Sequence, residues 1–262
     1  MKPLYIGKAL TMAVLACSAL QSQGAPISTL FTTNYGDRVG TTVTYHDINE
    51  SSITDAQALY GAPSISGNTL NMTPEGFGAF SGEPEETDHT DGNLSFTLSA
   101  DTGGLTELQF SELGDYSLFS TGDKYAYVSI AAFFNIRITK VDGQVVDPQI
   151  PGQAEMTYTP SDEILHQSPF PKTENGLWDG YISIDLEEIL DNAVIPYDIG
   201  VTEVIVSLDN SLTAYSEDGA TAFIQKKDFT GFSITAIPEP ASMGLLMVTS
   251  GLVVFVRRIF IV

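Results

Sequence analysis

Cysteine is almost missing: there is one in 262 residues, Cys17, and it lies in an apolar stretch near the start. A body without thiols has no disulfide framework, no thiolate metal site and no cysteine nucleophile. Positive charge is also scarce, with 11 Lys and Arg against 33 Asp and Glu and a formal net charge of −22. Such a surface repels phosphate backbones, which excludes nucleic acid as a partner. It suits divalent cations, cationic surfaces or plain solubility. Histidine occurs three times, at His46, His89 and His166, and no His-Glu-x-x-His zinc motif is present. No Gly-x-Ser-x-Gly nucleophile elbow occurs either. Tryptophan is represented once, by Trp178.

Long apolar runs are confined to the two ends. Lys2 and Lys8 precede the run Ala9 to Leu20, and the small residues Ser22 and Gly24 suit a signal-peptidase cut before Ala25. Val14-Leu15-Ala16-Cys17 also has the form of a lipobox, which would make Cys17 a lipid anchor; the competing reading is a chance cysteine among small residues. At the other end, sixteen uncharged residues, Ala241 to Val256, stand between Pro238-Glu239-Pro240 and Arg257-Arg258. As a helix they would cover roughly 24 Å of the ~30 Å hydrocarbon core, and Ile259 to Val262 extend the apolar reach. Arginines flanking such a helix stay cytoplasmic, which places the preceding domain on the opposite side of the membrane.

Taken together, Pro238-Glu239-Pro240, the apolar helix and Arg257-Arg258 resemble the PEP-CTERM sorting signal of Gram-negative bacteria that make extracellular polysaccharide. The resemblance implies a membrane-embedded exosortase, a thiol protease, as processing partner. It also implies a protein that is exported, held by its C-terminal helix, then released or transferred to the cell surface. The apolar Ile259-Phe-Ile-Val262 departs from the family, which more often ends basic. Segments of the body, Phe110 to Tyr116, Ser207 to Glu217 and Ala222 to Phe232, are similar to uncharacterised exported β-rich proteins with the same tail. The expected division is a signal peptide over 1–24, a β-sandwich over 25–236 and a sorting signal over 237–262, with its helix at 241–256. Residues 25–240 hold seven basic residues against 33 acidic ones.

Within the body, period two dominates. Leu94, Phe96 and Leu98 alternate with Ser95, Thr97 and Ser99, and Val204, Val206 and Leu208 share one side of their segment. Phe134, Ile136 and Ile138 alternate with Asn135, Arg137 and Thr139, and Phe232 and Ile234 with Ser233 and Thr235. Strands with one apolar face predict an antiparallel β-sandwich, plausible as a jelly roll. Turns are expected at Asp91-Gly92, Gly103-Gly104, Asp142-Gly143, Asp179-Gly180 and Asp218-Gly219. One short helix is expected to open at Asp185, with Glu188 three residues on, and a weaker one over Thr54 to Tyr60. Gly76 to Asp91 and the proline-rich Asp147 to Pro171 read as irregular loops.

Candidate sites are few. Glu83, Glu85, Glu86, Asp88, His89 and Asp91 crowd nine residues, either as hard ligands for calcium or as a solvated acidic loop. Asp185, Asp209 and Asn210 are candidates for a structural calcium at a sandwich rim, set against ordinary turn-forming roles. Asp101-Thr102-Gly103 matches the aspartic-protease tripeptide, but that chemistry needs two such aspartates and only one is present, so it reads as a turn. Tyr125 and Tyr127 share the side of their strand away from Ala126, Val128 and Ile130. With Trp178 they would offer rings for stacking on sugars, or else pack as cross-strand pairs and a core plug. The leading expectation is an envelope or matrix protein with a structural or adhesive role and no catalysis. The alternatives are a carbohydrate-binding module, with or without calcium, and a secreted glycan-active enzyme.

Overall fold

Alternation of apolar and polar residues is carried through nearly every strand of the computed structural model, which describes residues 29–82, 86–227 and 231–239. The signal peptide expected over 1–24, with Cys17, and Glu83, Glu85, Pro240, the helix expected at 241–256 and Arg257-Arg258 lie outside the described residues. Among the described residues, no helix is long and apolar enough to cross a membrane.

The elements run in chain order as follows. The first are β1 (Phe31–Asn34), β2 (Arg38–Val39), β3 (Val43–Ser52), β4 (Ser64–Ser66), β5 (Thr69–Met72) and β6 (Gly78–Ser81). The long strands β7 (Glu86–Ala100), β8 (Leu105–Ser120) and β9 (Tyr125–Val141) come next, then β10 (Gln144–Glu155), β11 (Thr157–Thr159) and β12 (Glu163–Gln167). The chain continues through β13 (Lys172–Asp185), α1 (Leu186–Asn192), β14 (Val201–Ser216), β15 (Thr221–Lys226) and β16 (Phe232–Pro238).

These strands form one antiparallel hydrogen-bonded sheet that curls into two facing layers. The first layer runs β1-β3-β7-β14-β9, with β10 and β12 sharing the far edge of β9. The second is built on β8, with β13 along one edge and β15 and β16 sharing the other. The two layers meet where Val201 of β14 pairs with Leu105 of β8.

Register puts apolar residues opposite apolar residues. Val204, Val206 and Leu208 of β14 face Leu98, Phe96 and Leu94 of β7 on one side and Ile138, Ile136 and Phe134 of β9 on the other. A slip of one residue would turn this whole block toward water, so the core itself sets the pairing. Each such side chain contributes roughly 1.5–3 kcal/mol when fully buried. Between the layers, the Phe110 and Phe134 rings lie 4.4 Å apart. The Tyr45 hydroxyl of β3 donates across to the Ile234 carbonyl of β16 at 3.1 Å.

The helix expected at Asp185 is present: Asp185 Oδ1 accepts from the Glu188 N–H at 2.9 Å, and Leu186 and Leu190 are buried. Thr54 to Tyr60 is not helical. There Ser52 Oγ accepts the N–H groups of Thr54 and Asp55, and Glu50 Oε1 accepts those of Leu59 and Tyr60. Side-chain acceptors have replaced the carbonyls a helix would use.

Both expected loops are largely strand. Residues 86–91 pair with residues 211–216 of β14 and so continue the sheet. Asp147 to Pro171 holds most of β10 together with β11 and β12, and among the described residues β10 pairs only with β9. An irregularity between Val145 and Ile150 takes up Pro148, as expected of proline on a sheet edge.

Asp91-Gly92 and Asp179-Gly180 are not turns either; both lie inside long strands. Their glycines permit close approach. A Cβ on Gly92 would stand 2.9 Å from Phe77 Cε2, and one on Gly114 of β8 would stand 2.1 Å from Trp178 Cε2 and 2.3 Å from the Gln225 carbonyl. Gly114→Ala should therefore destabilise the domain by about 1–3 kcal/mol and shift the Trp178 near-ultraviolet signal. Urea melts of variant and parent measure both, and equal midpoints would show that this contact has slack.

Candidate functional site

The outer face of the first layer carries side chains that the core rejects. On β9 these are Tyr125, Tyr127, Ser129, Ala131, Phe133 and Asn135, while Ala126, Val128, Ile130, Ala132 and Phe134 turn inward. On β14 the same parity sends Tyr215, Thr213, Ser211 and Asp209 outward. Tyr215 pairs with Tyr127 across the ladder. Its ring lies 5.4 Å from that of Tyr127 at 31° and 5.4 Å from that of Tyr125 at 33°. Three half-buried tyrosines thus form one aromatic group at the end of the sheet, bordered by the 64% exposed Leu165 of β12, which pairs with Tyr127. Half-exposed Phe133 lies six residues along β9, about 20 Å away at strand rise.

Tyr215 was missed by sequence reasoning, although a signal existed. Extending the parity of Val204, Val206 and Leu208 through Leu212 and Ala214 puts Tyr215 on the outside.

Polar groups occupy the same face beside the rings. His89 Nδ1 and Thr213 Oγ1 are 2.9 Å apart. Asp91 and Asp209 sit diagonally across the β7–β14 ladder, since Asp91 pairs with Ser211 and Asp209 with Asn93. Partial burial, followed by the charge and hydrogen bond of Asp209, pushes the Asp91 carboxyl up to about 6, and His89 opposes this weakly. Two carboxyls this close share a proton at mildly acidic pH.

Trp178 is the core plug of its two expected roles, and the sugar platform is corrected. It belongs to β13, has no exposed surface, and packs edge-on to Tyr158 at 6.0 Å. Its ring fills the space that Gly114 leaves open, so it is a core residue and no platform for a ligand.

The three residues proposed for calcium are not brought together. Asp185 caps α1, Asp209 points outward from β14, and Asn210, its neighbour on the strand, points into the core at 1% exposure. Successive strand residues face opposite ways, so Asp209 and Asn210 cannot converge on one ion. The acidic cluster around Asp88 is divided between two faces for the same reason. Among the described residues, no group of three or more His, Cys, Asp or Glu is placed to hold a metal ion. The histidines are separate: His46 meets Asp37, His89 meets Thr213, and His166 meets Glu174. Asp101 ends a strand and accepts from Thr44 Oγ1 at 3.1 Å, with Gly103 at a positive φ of 72°, as a turn requires.

Asn210 instead joins a polar group sealed inside the protein. Its Nδ2 donates to both carboxylate oxygens of Glu112, at 2.9 and 3.0 Å. Tyr158 donates to Oε1 of the same carboxylate at 3.1 Å, and Lys226 forms an ion pair with its Oε2. The Lys226 nitrogen lies among four rings, 4.6 Å from the centroid of Phe77, 5.6 Å from Phe232 and 5.9 Å from both Tyr60 and Trp178. Burial holds the Lys226 amine well below the ordinary lysine value.

No family model and no curated protein matches the chain. Among solved structures it has a faint likeness to a carbohydrate-binding module, CBM28, specific for non-crystalline cellulose, at 16% identity and a TM-score of 0.22 over 65% of this chain and 78% of that one. A CBM61 module in complex with β-1,4-galactotriose scores 0.16 at 9% identity, covering 60% and 73%. The CBM22-1 xylan-binding domain of Paenibacillus barcinonensis Xyn10C scores 0.18 at 10% identity, covering 81% and 97%. Overlap this slight carries no argument about a ligand.

Asp91 gives a test of the outer face. Its carboxyl is raised above the unfolded value of 3.8, so the native state binds more protons than the unfolded chain between pH 3.8 and about 6. Stability therefore falls as pH rises through that window. Thermal melts across it should show Asp91→Asn gaining stability relative to the parent as pH rises; parallel profiles would mean that the fold does not raise the Asp91 carboxyl.

Proposed function

We propose that this chain is an exported, non-catalytic protein that binds polysaccharide through the outer face of its first layer. The observation that carries the reading is the tyrosine group, Tyr125, Tyr127 and Tyr215, displayed beside hydroxyl and carboxyl side chains on a broad sheet. Aromatic faces stack on the apolar faces of sugar rings, and neighbouring polar groups satisfy the hydroxyls at their edges. The distance from this group to Phe133 matches the length of a short oligosaccharide.

Affinity electrophoresis in gels containing soluble glucans, xylans or acidic exopolysaccharide tests the proposal. Tyr127→Ala and Tyr215→Ala should each weaken binding about tenfold, corresponding to ~1.4 kcal/mol. Leu177→Ala, at an exposed position on β13 in the other layer, should leave mobility unchanged. Equal retardation of all variants by every polymer would remove the tyrosine face as the contact surface.

The sorting signal gives the reading its location: export, retention by the tail, and processing by an exosortase beside Pro238, Glu239 and Pro240. Glu239→Ala, or loss of Arg257 and Arg258, should leave full-length protein in the membrane fraction of a host that carries the protease. A mass and distribution equal to the parent would refute the sorting role.

A further inference from the structure

The buried centre around Lys226 is unused by a surface that binds sugars, and its chemistry is distinctive. A primary amine, a carboxylate and a carboxamide meet where water has no access, with Lys226, Glu112 and Asn210 each 1% exposed. Two of the three could satisfy one another as an ordinary ion pair. The third makes the arrangement reactive, because Lys226 Nζ and Asn210 Nδ2 both contact Glu112 Oε2. The Asn210 carbonyl oxygen has no hydrogen-bond partner among the described residues, an unusual state for a buried polar atom. The geometry points to an autocatalytic amide bond between the Lys226 side chain and the Asn210 side chain, formed inside the folded protein with Glu112 as proton shuttle.

The step balances without any further reactant. Lys226 passes one proton to Glu112, leaving a neutral amine and a neutral carboxylic acid, and the surrounding rings favour that uncharged state. The amine lone pair attacks Asn210 Cγ, so a C–N bond forms and charge moves onto the Asn210 oxygen. Glu112 then gives its proton to Nδ2 and takes one from Nζ. The Cγ–Nδ2 bond breaks with its electron pair going to nitrogen, and ammonia leaves. The products are a secondary amide, ammonia and a protonated Glu112, with the same total charge as at the start. Glu112 is catalytic in this reaction because it touches both reacting nitrogens.

Topology gives the bond a purpose. Asn210 belongs to β14 in the first layer and Lys226 to the end of β15 in the second. The amide would fasten the two layers to each other covalently in a body that contains no cysteine to do so.

Endoproteinase Glu-C provides the test, because Glu217 lies between the two residues. Full-length folded protein is denatured, digested and analysed by tandem mass spectrometry. Peptide 204–217 and the peptide that begins at Asp218 should remain joined, with the combined mass reduced by one ammonia. Separate, unmodified peptides from the folded parent would overturn the proposal. So would a product joining Lys226 to Glu112 with loss of one water. Glu112→Gln, which keeps a hydrogen-bonding side chain but cannot shuttle the proton, should yield the two peptides unjoined. If that variant does not fold, the digest of the parent decides alone.

Discussion

A carboxylate enclosed between two sheets sets the terms for much of this structure. Glu112 receives Lys226, Asn210 and Tyr158, drawn from β15, β14 and β11, so one side chain ties together strands from both layers. Charges taken out of water are costly, and the cost is met only when geometry is good and remaining lone pairs are filled. Removal of a single partner would leave a buried charge unmatched, which costs far more than the pair itself contributes. The rings of Tyr60, Phe77, Trp178 and Phe232 are arranged around this group, and the glycines at 92 and 114 give those rings room.

The rest follows from the two-sidedness of a β-strand. Every long strand spends alternate residues on a shared interior, and what remains is offered to the outside in register with its neighbours. For β7, β9 and β14 that second set includes tyrosines at one end and a carboxyl pair further along. The outer face is therefore as ordered as the core, since the same pairing fixes both. A flat, ordered display of rings and polar groups is suited to an extended polymer more than to a small enclosed substrate.

Much of the core was readable in advance because it obeys a simple period. The Leu94, Phe96 and Leu98 strand, the Val204 to Leu208 strand and the capped helix after Asp185 all appear where their patterns place them. The errors came from residues with two local meanings. Asp-Gly at 91–92 and 179–180 is a strong turn signal, yet these glycines serve to admit bulky neighbours, Phe77 at one and Tyr158 at the other. Proline between 147 and 171 suggested loop, while an edge strand tolerates it. Trp178 was readable either as a ring for sugars or as a core plug, and the glycines at 176 and 180 mark the close contacts of the plug. The convergence of Glu112, Asn210 and Lys226 had no local signal at all, since the three residues are far apart in sequence and meet only through the folding of one layer over the other.

Pro238 and Glu239 are not a loose end. Pro238 closes β16 against Leu105, and the Glu239 N–H donates to the Gly104 carbonyl at 2.9 Å. Proteases accept an extended chain only after it has left its hydrogen-bonding partners, so a segment seated this way is shielded while the last strand is docked. Maturation by a protease acting here would be timed by fraying of that strand, which makes the local opening equilibrium the clock for release.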